Sequence, residues 1–223
     1  MKKASIRLQK IMKIDLSKLN IESDSKKEEL LKKWEQLFLN YNSHTNLMSK
    51  NDVQYLYQKH VFDSLAVNLW VNFKNIKTIL DVGCGGGFPS VLLAIFFPEK
   101  KIIANDSRIK KIDFIKLVKS ELELDNLDIL YSRIEEAPCR NVDLITSRAV
   151  GNTLDIYELS KKHLKKEGYF LTYKSKTIEQ EIKEFKKKYK NADFKTVSYN
   201  LPLKENYERK LLIDRKSTRL NSS

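Results

Sequence analysis

The eight residues Asp81–Phe88 (DVGCGGGF) constrain what this chain can fold into more than any other stretch. They close a short apolar run, Thr78–Val82 (TILDV), and open directly into another, Pro89–Phe97. A strand that ends in D-x-G-x-G and turns into a helix sets backbone N–H groups beside a ligand, where a Cβ would obstruct approach. Such a turn belongs at the carboxyl end of a strand in an open α/β sheet.

The chain beyond the turn keeps that rhythm. Lys101–Asn105 (KIIAN), Leu127–Tyr131 (LDILY) and Val142–Thr146 (VDLIT) read as further parallel strands buried on both faces, and Gly168–Tyr173 (GYFLTY) as a fifth. Helices are expected at about Pro89–Phe97, Ile109–Glu121 and Thr153–Leu164, with a very basic one at Thr177–Tyr189. Asp193–Leu201 and Arg209–Asp214 then follow as strand-like runs with no helix between them, joined through a short loop containing Pro202. Two such runs pair most easily as a hairpin. The prediction is an α/β fold of the class I S-adenosylmethionine-dependent methyltransferase type. Its sheet is Rossmann-like, mixed and seven-stranded, with an antiparallel C-terminal hairpin.

Ahead of the sheet the pattern is helical. Leu30, Leu31, Trp34, Leu37, Phe38 and Tyr41 form one apolar stripe, a loop is expected over Asn42–Ser49, and Val61, Phe62, Leu65, Leu69 and Trp70 mark a second amphipathic stretch. The expected organisation is a helical N-terminal extension over 1–75, the cofactor-binding domain over 76–216, and a non-structural tail over 217–223. Lys216–Ser223 (KSTRLNSS) shows no periodicity and receives no function.

Composition removes several classes. At 223 residues and 41% hydrophobic, the chain can bury a full core. The basic N-terminus has no continuous apolar stretch or small-residue cleavage site, and no run approaches the roughly 18–20 apolar residues of a membrane span. Cys84 and Cys139 suggest neither a disulfide framework nor a metal cluster. The reading is cytoplasmic, without a membrane partner and monomeric. The net charge of +13 is uneven: residues 1–33 carry +5, 34–160 carry −2 and 161–223 carry +10. Basic flanks attract phosphate backbones, although a lysine-rich composition also arises without selection for binding.

The glycine turn departs from the dinucleotide pattern G-x-G-x-x-G, because Phe88 holds the last glycine's place. S-adenosylmethionine has no phosphate and carries a methionine carboxylate and ammonium, which suits a glycine turn entered by an acid. Asp81 is a candidate partner for the ammonium. Asp106 ends the second strand, 23 residues after Gly83, where a carboxylate can accept both ribose hydroxyls of an adenosine; its competing role is a helix N-cap. Ile134 and Glu135 follow the third strand, where an apolar side chain can cover the adenine face and an acid can meet its amino group.

Taken in order, several signatures resemble the RsmG (GidB) family of 16S ribosomal RNA guanine-N7 methyltransferases. They are NLMS at Asn46–Ser49, HVFDSL from His60, the turn DVGCGGGFPSVLLAI, Asp106-Ser107 leading to Lys110-Lys111 and Phe114, Arg133-Ile134-Glu135, Ser147-Arg148-Ala149 and Glu208-Arg209. The resemblance covers about Leu30 to Lys216. Thr45, Met48 and Lys174-Ser175 depart from its commonest pattern. It implies that Gly83, Phe88, Ile134, Glu135 and Arg148 sit at cofactor positions. It also implies methyl transfer to N7 of a guanine in the decoding-region loop of 16S ribosomal RNA, as free RNA or in a small-subunit particle.

Guanine N7 offers a lone pair, so the reaction needs no obligatory general base; alignment and desolvation can supply most of the rate. Arg148 ends the fourth strand, where it can hold cofactor, orient the guanine through O6, or form a salt bridge to an acid such as Asp81. His60 reads as structural, His44 and His163 as surface residues, and Cys139 as non-catalytic. Asn46 either bonds the target base or caps its loop, and Arg209 and the lysines of the basic helix are candidates to contact RNA. The alternative is a methyltransferase acting on another RNA or on a small molecule.

Overall fold

The computed structural model describes residues 14–148, 151–175, 178–203 and 207–215. Ala149, Thr177 and Lys216–Ser223, which enter the readings above, lie outside the described residues. The strands are β1 (Thr78–Val82), β2 (Lys101–Asp106), β3 (Leu127–Tyr131), β4 (Val142–Arg148), β5 (Leu164–Lys174), β6 (Lys195–Leu201) and β7 (Tyr207–Arg215). They form one sheet in the order β3-β2-β1-β4-β5-β7-β6. The first five run parallel, and β7 is antiparallel to both β5 and β6.

Alternation along each strand divides the core. On β1, Ile79 joins one apolar cluster and Leu80 the other, as successive side chains on a pleated strand must. Leu80, Ile103, Ile145 and Phe170 pack with Ile156 and Tyr157 of α6 (Thr153–Ser160) and Phe185 of α7 (Ile178–Lys188). On the opposite face, Ile79, Ile102 and Leu144 share a cluster with α4 (Ser90–Phe96), α5 (Ile109–Glu121) and the N-terminal helices.

Helix α1 (Ser25–Thr45) opens on Asp24, whose carboxylate accepts a hydrogen bond from the Lys27 N–H at 2.8 Å. It closes on Asn46 in the left-handed region, at φ 53°. The loop expected over Asn42–Ser49 therefore begins four residues late. Asn42–Thr45 stay helical because Tyr41 packs on Phe114 of α5, with ring centroids 5.1 Å apart, and the Thr45 hydroxyl donates back to the Tyr41 carbonyl. The second helical stretch is not one helix. It comprises α2 (Lys50–Val53), a π turn at Leu56–Val61, α3 (Phe62–Leu65) and two 3-10 segments, Ala66–Leu69 and Val71–Asn75. All four residues of α3 are buried.

The sheet puts the carboxyl ends of β1 and β4 side by side, with the chain leaving β1 toward β2 on one side and β4 toward β5 on the other. That is the topological switch point, where open α/β sheets bind ligands.

Candidate cofactor and substrate site

A cleft of about 650 Å³ opens at this point, lined in part by Gly83, Gly85, Asp106, Ile134, Glu135 and Arg148. The glycine turn is fixed from below. The Asn105 carbonyl accepts both the Gly83 and the Cys84 N–H at 2.9 Å, and Gly83 and Gly85 lie at φ 73° and 55°, a region that L side chains rarely adopt. A Cβ on Gly85 meets protein only at the Gly83 carbonyl oxygen, 3.9 Å away, so the space over the turn stays open. Gly87 has a different reason. At φ 88°, its Cβ would stand 2.5 Å from Val91 Cγ2. Gly87→Ala is expected to cost about 1–3 kcal/mol of stability, read by urea denaturation against the parent chain; an unchanged midpoint would contradict the crowding.

Asp106 lines the cleft beside the turn. One carboxylate oxygen accepts the Gly85 N–H at 3.1 Å and the other the Arg108 N–H at 2.9 Å. Each oxygen keeps a further lone pair, so the carboxylate braces the turn and can still receive two hydroxyl donors. Ile134 is buried at one wall, and Glu135 is exposed beside it, 3.8 Å from the Arg133 guanidinium. An open glycine turn, a carboxylate with spare acceptors and an apolar wall fit an adenosine.

Asp81 is placed differently from its expected role. It is fully buried, accepts from the Ser90 N–H at 3.1 Å and the Thr146 hydroxyl at 3.2 Å, and does not line the cleft. Burial pushes its pKa up to about 6, against the opposing pull of those hydrogen bonds and Arg148. Its visible work is to anchor the first turn of α4 to the sheet.

Arg148 makes its salt bridge with Asp63 of α3, Nε to carboxylate at 3.3 Å, rather than with Asp81. Its other nitrogens donate to the His60 carbonyl at 3.2 Å and the Ser64 hydroxyl at 3.1 Å, and meet His60 Nδ1. The guanidinium carbon lies 5.3 Å from the Phe88 ring centroid. Asp63 is the shared partner: Arg209 contacts both its oxygens at 2.9 Å, and the Tyr199 hydroxyl donates to it at 2.5 Å. Burial raises the Asp63 pKa, but Arg148 and then Arg209 outweigh it and hold the carboxyl below the usual range. Burial, then the Arg148 charge, pushes the His60 imidazole down to about 3, which keeps it neutral at pH 7.

The remaining candidates lie off the cleft wall. Phe88 is buried among Trp34, Phe38 and His60, with ring centroids 5.6, 5.4 and 5.5 Å away. Arg209 is committed to Asp63, and its side chain is only 15% exposed. Asn46 is exposed and ends α1, while the carbonyl of the next residue, Leu47, accepts from Lys111 Nζ at 3.1 Å on the cleft.

His163 corrects the sequence reading. It is fully buried in the 3-10 turn Lys161–His163, and its Nε2 meets the Ile134 carbonyl at 3.0 Å. Its neighbours are lysines, which made the turn look like surface, but the start of β5 folds it under the cleft. His44 is exposed. Cys139 lies in a loop and donates to the Lys162 carbonyl. Sequence reasoning named Asp63 within HVFDSL without giving it a role, and missed Asn105. The spacing of His60, Asp63 and Ser64 at i, i+3 and i+4 was the available sign that three polar groups share one helical face.

Fold and cleft together define an S-adenosylmethionine-dependent methyltransferase. Residues 27–212 match the family described as rRNA small subunit methyltransferase G, and the chain belongs to that family, RsmG (GidB). The ribosomal RNA small subunit methyltransferase G of Lysinibacillus sphaericus is 33% identical over 205 residues, 89% of this chain and 83% of the relative. The namesake from Aster yellows witches'-broom phytoplasma is 38% identical over 165 residues, 71% of this chain and 76% of its own. Among solved structures, the Bacillus cereus O-methyltransferase in complex with SAH superimposes with a TM-score of 0.55 at 15% identity, covering 90% of this chain and 95% of that one. At such identity the likeness speaks for the fold.

Proposed function

We propose that this protein methylates N7 of a guanine in the decoding-region loop of 16S ribosomal RNA. Bound S-adenosylmethionine supplies an activated methyl group on a sulfonium. Gly83 and Gly85 admit the cofactor close to the backbone, Asp106 accepts its ribose hydroxyls, and Ile134 and Glu135 receive the adenine. The observation that carries the reading is Arg148 on the cleft wall, held in place by His60, Ser64 and Asp63. A fixed guanidinium beside the cofactor can donate to guanine O6, next to N7, while it stays charged throughout.

The chemistry suits a site of this kind. N7 presents its lone pair without losing a proton, so the residues need only align the acceptor and exclude water. The family's naming for small-subunit ribosomal RNA supports the substrate, and the +10 carried by residues 161–223 supports a polyanionic partner. No helix among the described residues is long and apolar enough to cross a membrane. We read the protein as a cytoplasmic monomer acting on free RNA or on a small-subunit particle.

The test is to map N7-methylguanosine in small-subunit RNA from a deletion strain, with and without the gene restored. The mark should vanish and return. An unchanged mark would remove the guanine-N7 assignment, and methylation of another RNA position would redirect it.

A further inference from the structure

The wall formed by Ile134 and Glu135 belongs to a segment without regular structure, residues 132–141, between β3 and β4. A segment of this kind would ordinarily leave a binding wall soft. Here its cleft-facing part is strapped from two directions. From β2, the Asn105 side-chain amide donates to the Leu130 carbonyl near the end of β3 and to the Ser132 carbonyl that opens the segment, both at 2.9 Å. From the 3-10 turn before β5, His163 Nε2 meets the Ile134 carbonyl at 3.0 Å, and Lys162 Nζ meets the Glu135 carbonyl at 2.6 Å.

Both inner straps are buried, Asn105 at 2% exposure and His163 at 0%. A carbonyl oxygen only accepts, so His163 carries its proton on Nε2. His163 Nδ1 is buried without a hydrogen-bond partner. Asn105 does a second job, since its own carbonyl takes the Gly83 and Cys84 N–H groups. One residue thus ties the glycine turn to the opposite wall of the cleft, and it sits directly before Asp106.

We propose that Asn105 and His163 are positioning residues for the cofactor, holding the wall at Ile134–Glu135 at a fixed distance from the glycine turn. They touch the cofactor's surroundings through the backbone and take no part in methyl transfer. The inference rests on the reading that this wall flanks the adenine. Removing either strap leaves carbonyls without their donor and loosens the wall, so it weakens cofactor binding while the RNA-facing residues stay in place.

The experiment uses the full chain with Asn105→Leu, His163→Leu and His163→Gln, the last retaining an N–H donor. Hydrogen exchange of the amides at Ile134–Ala137, without cofactor, should quicken in both leucine variants. Calorimetry with S-adenosylmethionine should give a Kd about tenfold weaker in each, with substantial recovery in His163→Gln. With RNA saturating, KM for the cofactor should rise while kcat stays within about twofold of the parent. Should a leucine variant fail to fold, Lys162→Ala, which removes an exposed strap, carries the same test with a smaller effect. Parent-like exchange and affinity in the folded variants would overturn the positioning role. Ile134→Ala and Glu135→Ala separate the premise: if neither changes the affinity, the adenine reading of the wall falls and this proposal falls with it.

Discussion

Replacing Asp63 with alanine will lower the free energy of unfolding by about 3–5 kcal/mol, the largest loss expected from a single side chain here. Asp63 is 2% exposed and receives Arg148, Arg209 and Tyr199. Without it, two guanidinium groups with side chains 11% and 15% exposed keep their charge and lose their main counter-ion. Arginine cannot shed its proton, so the desolvation cost remains. For a chain of this size the melting temperature should fall by roughly 10 °C. Urea denaturation is the direct measurement, and pairing Asp63→Ala with Arg209→Ala should recover part of the loss. A cost below about 1 kcal/mol would mean that water reaches both arginines, and the hub would not be the support of Arg148 described above.

The second large effect is the contribution of His60 to stability, which is lost in mild acid. Its ring is 10% exposed, touches Arg148, and lies 3.9 Å from Asp52 and close to Lys59 and Asp63. Burial and the Arg148 charge depress its pKa to about 3 in the folded chain, whereas the unfolded chain protonates near the ordinary 6.5. The folded state therefore binds fewer protons between these values. Its stability from this group is complete above pH 6.5 and is lost as the pH falls toward 3. The slope approaches about 1.4 kcal/mol per pH unit, or roughly 2 kcal/mol between pH 7.5 and 5. Burial also lowers the His163 pKa, which adds to the slope with the same sign. Burial raises the Asp81 and Asp214 carboxyls to about 6, so they gain stability as pH falls and oppose this slope. The His60 share is therefore the difference between the parent and His60→Gln in denaturation across that range, with the parent losing more stability on acidification. Asp63 acts lower on the scale: it stabilises above the unfolded carboxylate range and is lost as pH falls through its depressed value. An unaltered pH profile in His60→Gln would refute the buried neutral imidazole.

The strands of the sheet were legible because each is a short β-branched or aromatic run bounded by turn residues, and Thr78–Val82, Leu127–Tyr131 and the helix Ile109–Glu121 match in full. The glycine turn and Asp106 were legible because a backbone conformation and an acid at fixed spacing leave a local trace. What stayed hidden depends on distant contacts. Asp63 and Arg209 are 146 positions apart, so neither signals the other, and an aspartate in an amphipathic stretch looks like a solvated face. His163 looked exposed for the same reason, flanked by Lys161 and Lys162. Asn105 sat one residue before the acid that drew attention, and its two-way bracing depends on where β3 ends. The early loop at Asn42 failed because packing on Phe114 overrode local preference.

Phe88 has a consequence for engineering. Its ring is enclosed by Trp34 and Phe38 from α1 and by His60, while the residues just before it form the glycine turn. The helical segment and the sheet are thus parts of one casting, and the seam between them runs through the turn itself. A chimera that grafts a different N-terminal segment onto residues 76–216, in the hope of redirecting substrate choice, inherits an uncovered Phe88 and an Arg148 stripped of its three supports. Substitutions made one at a time at the cleft mouth leave those supports in place, whereas exchanging the segment as a module removes them.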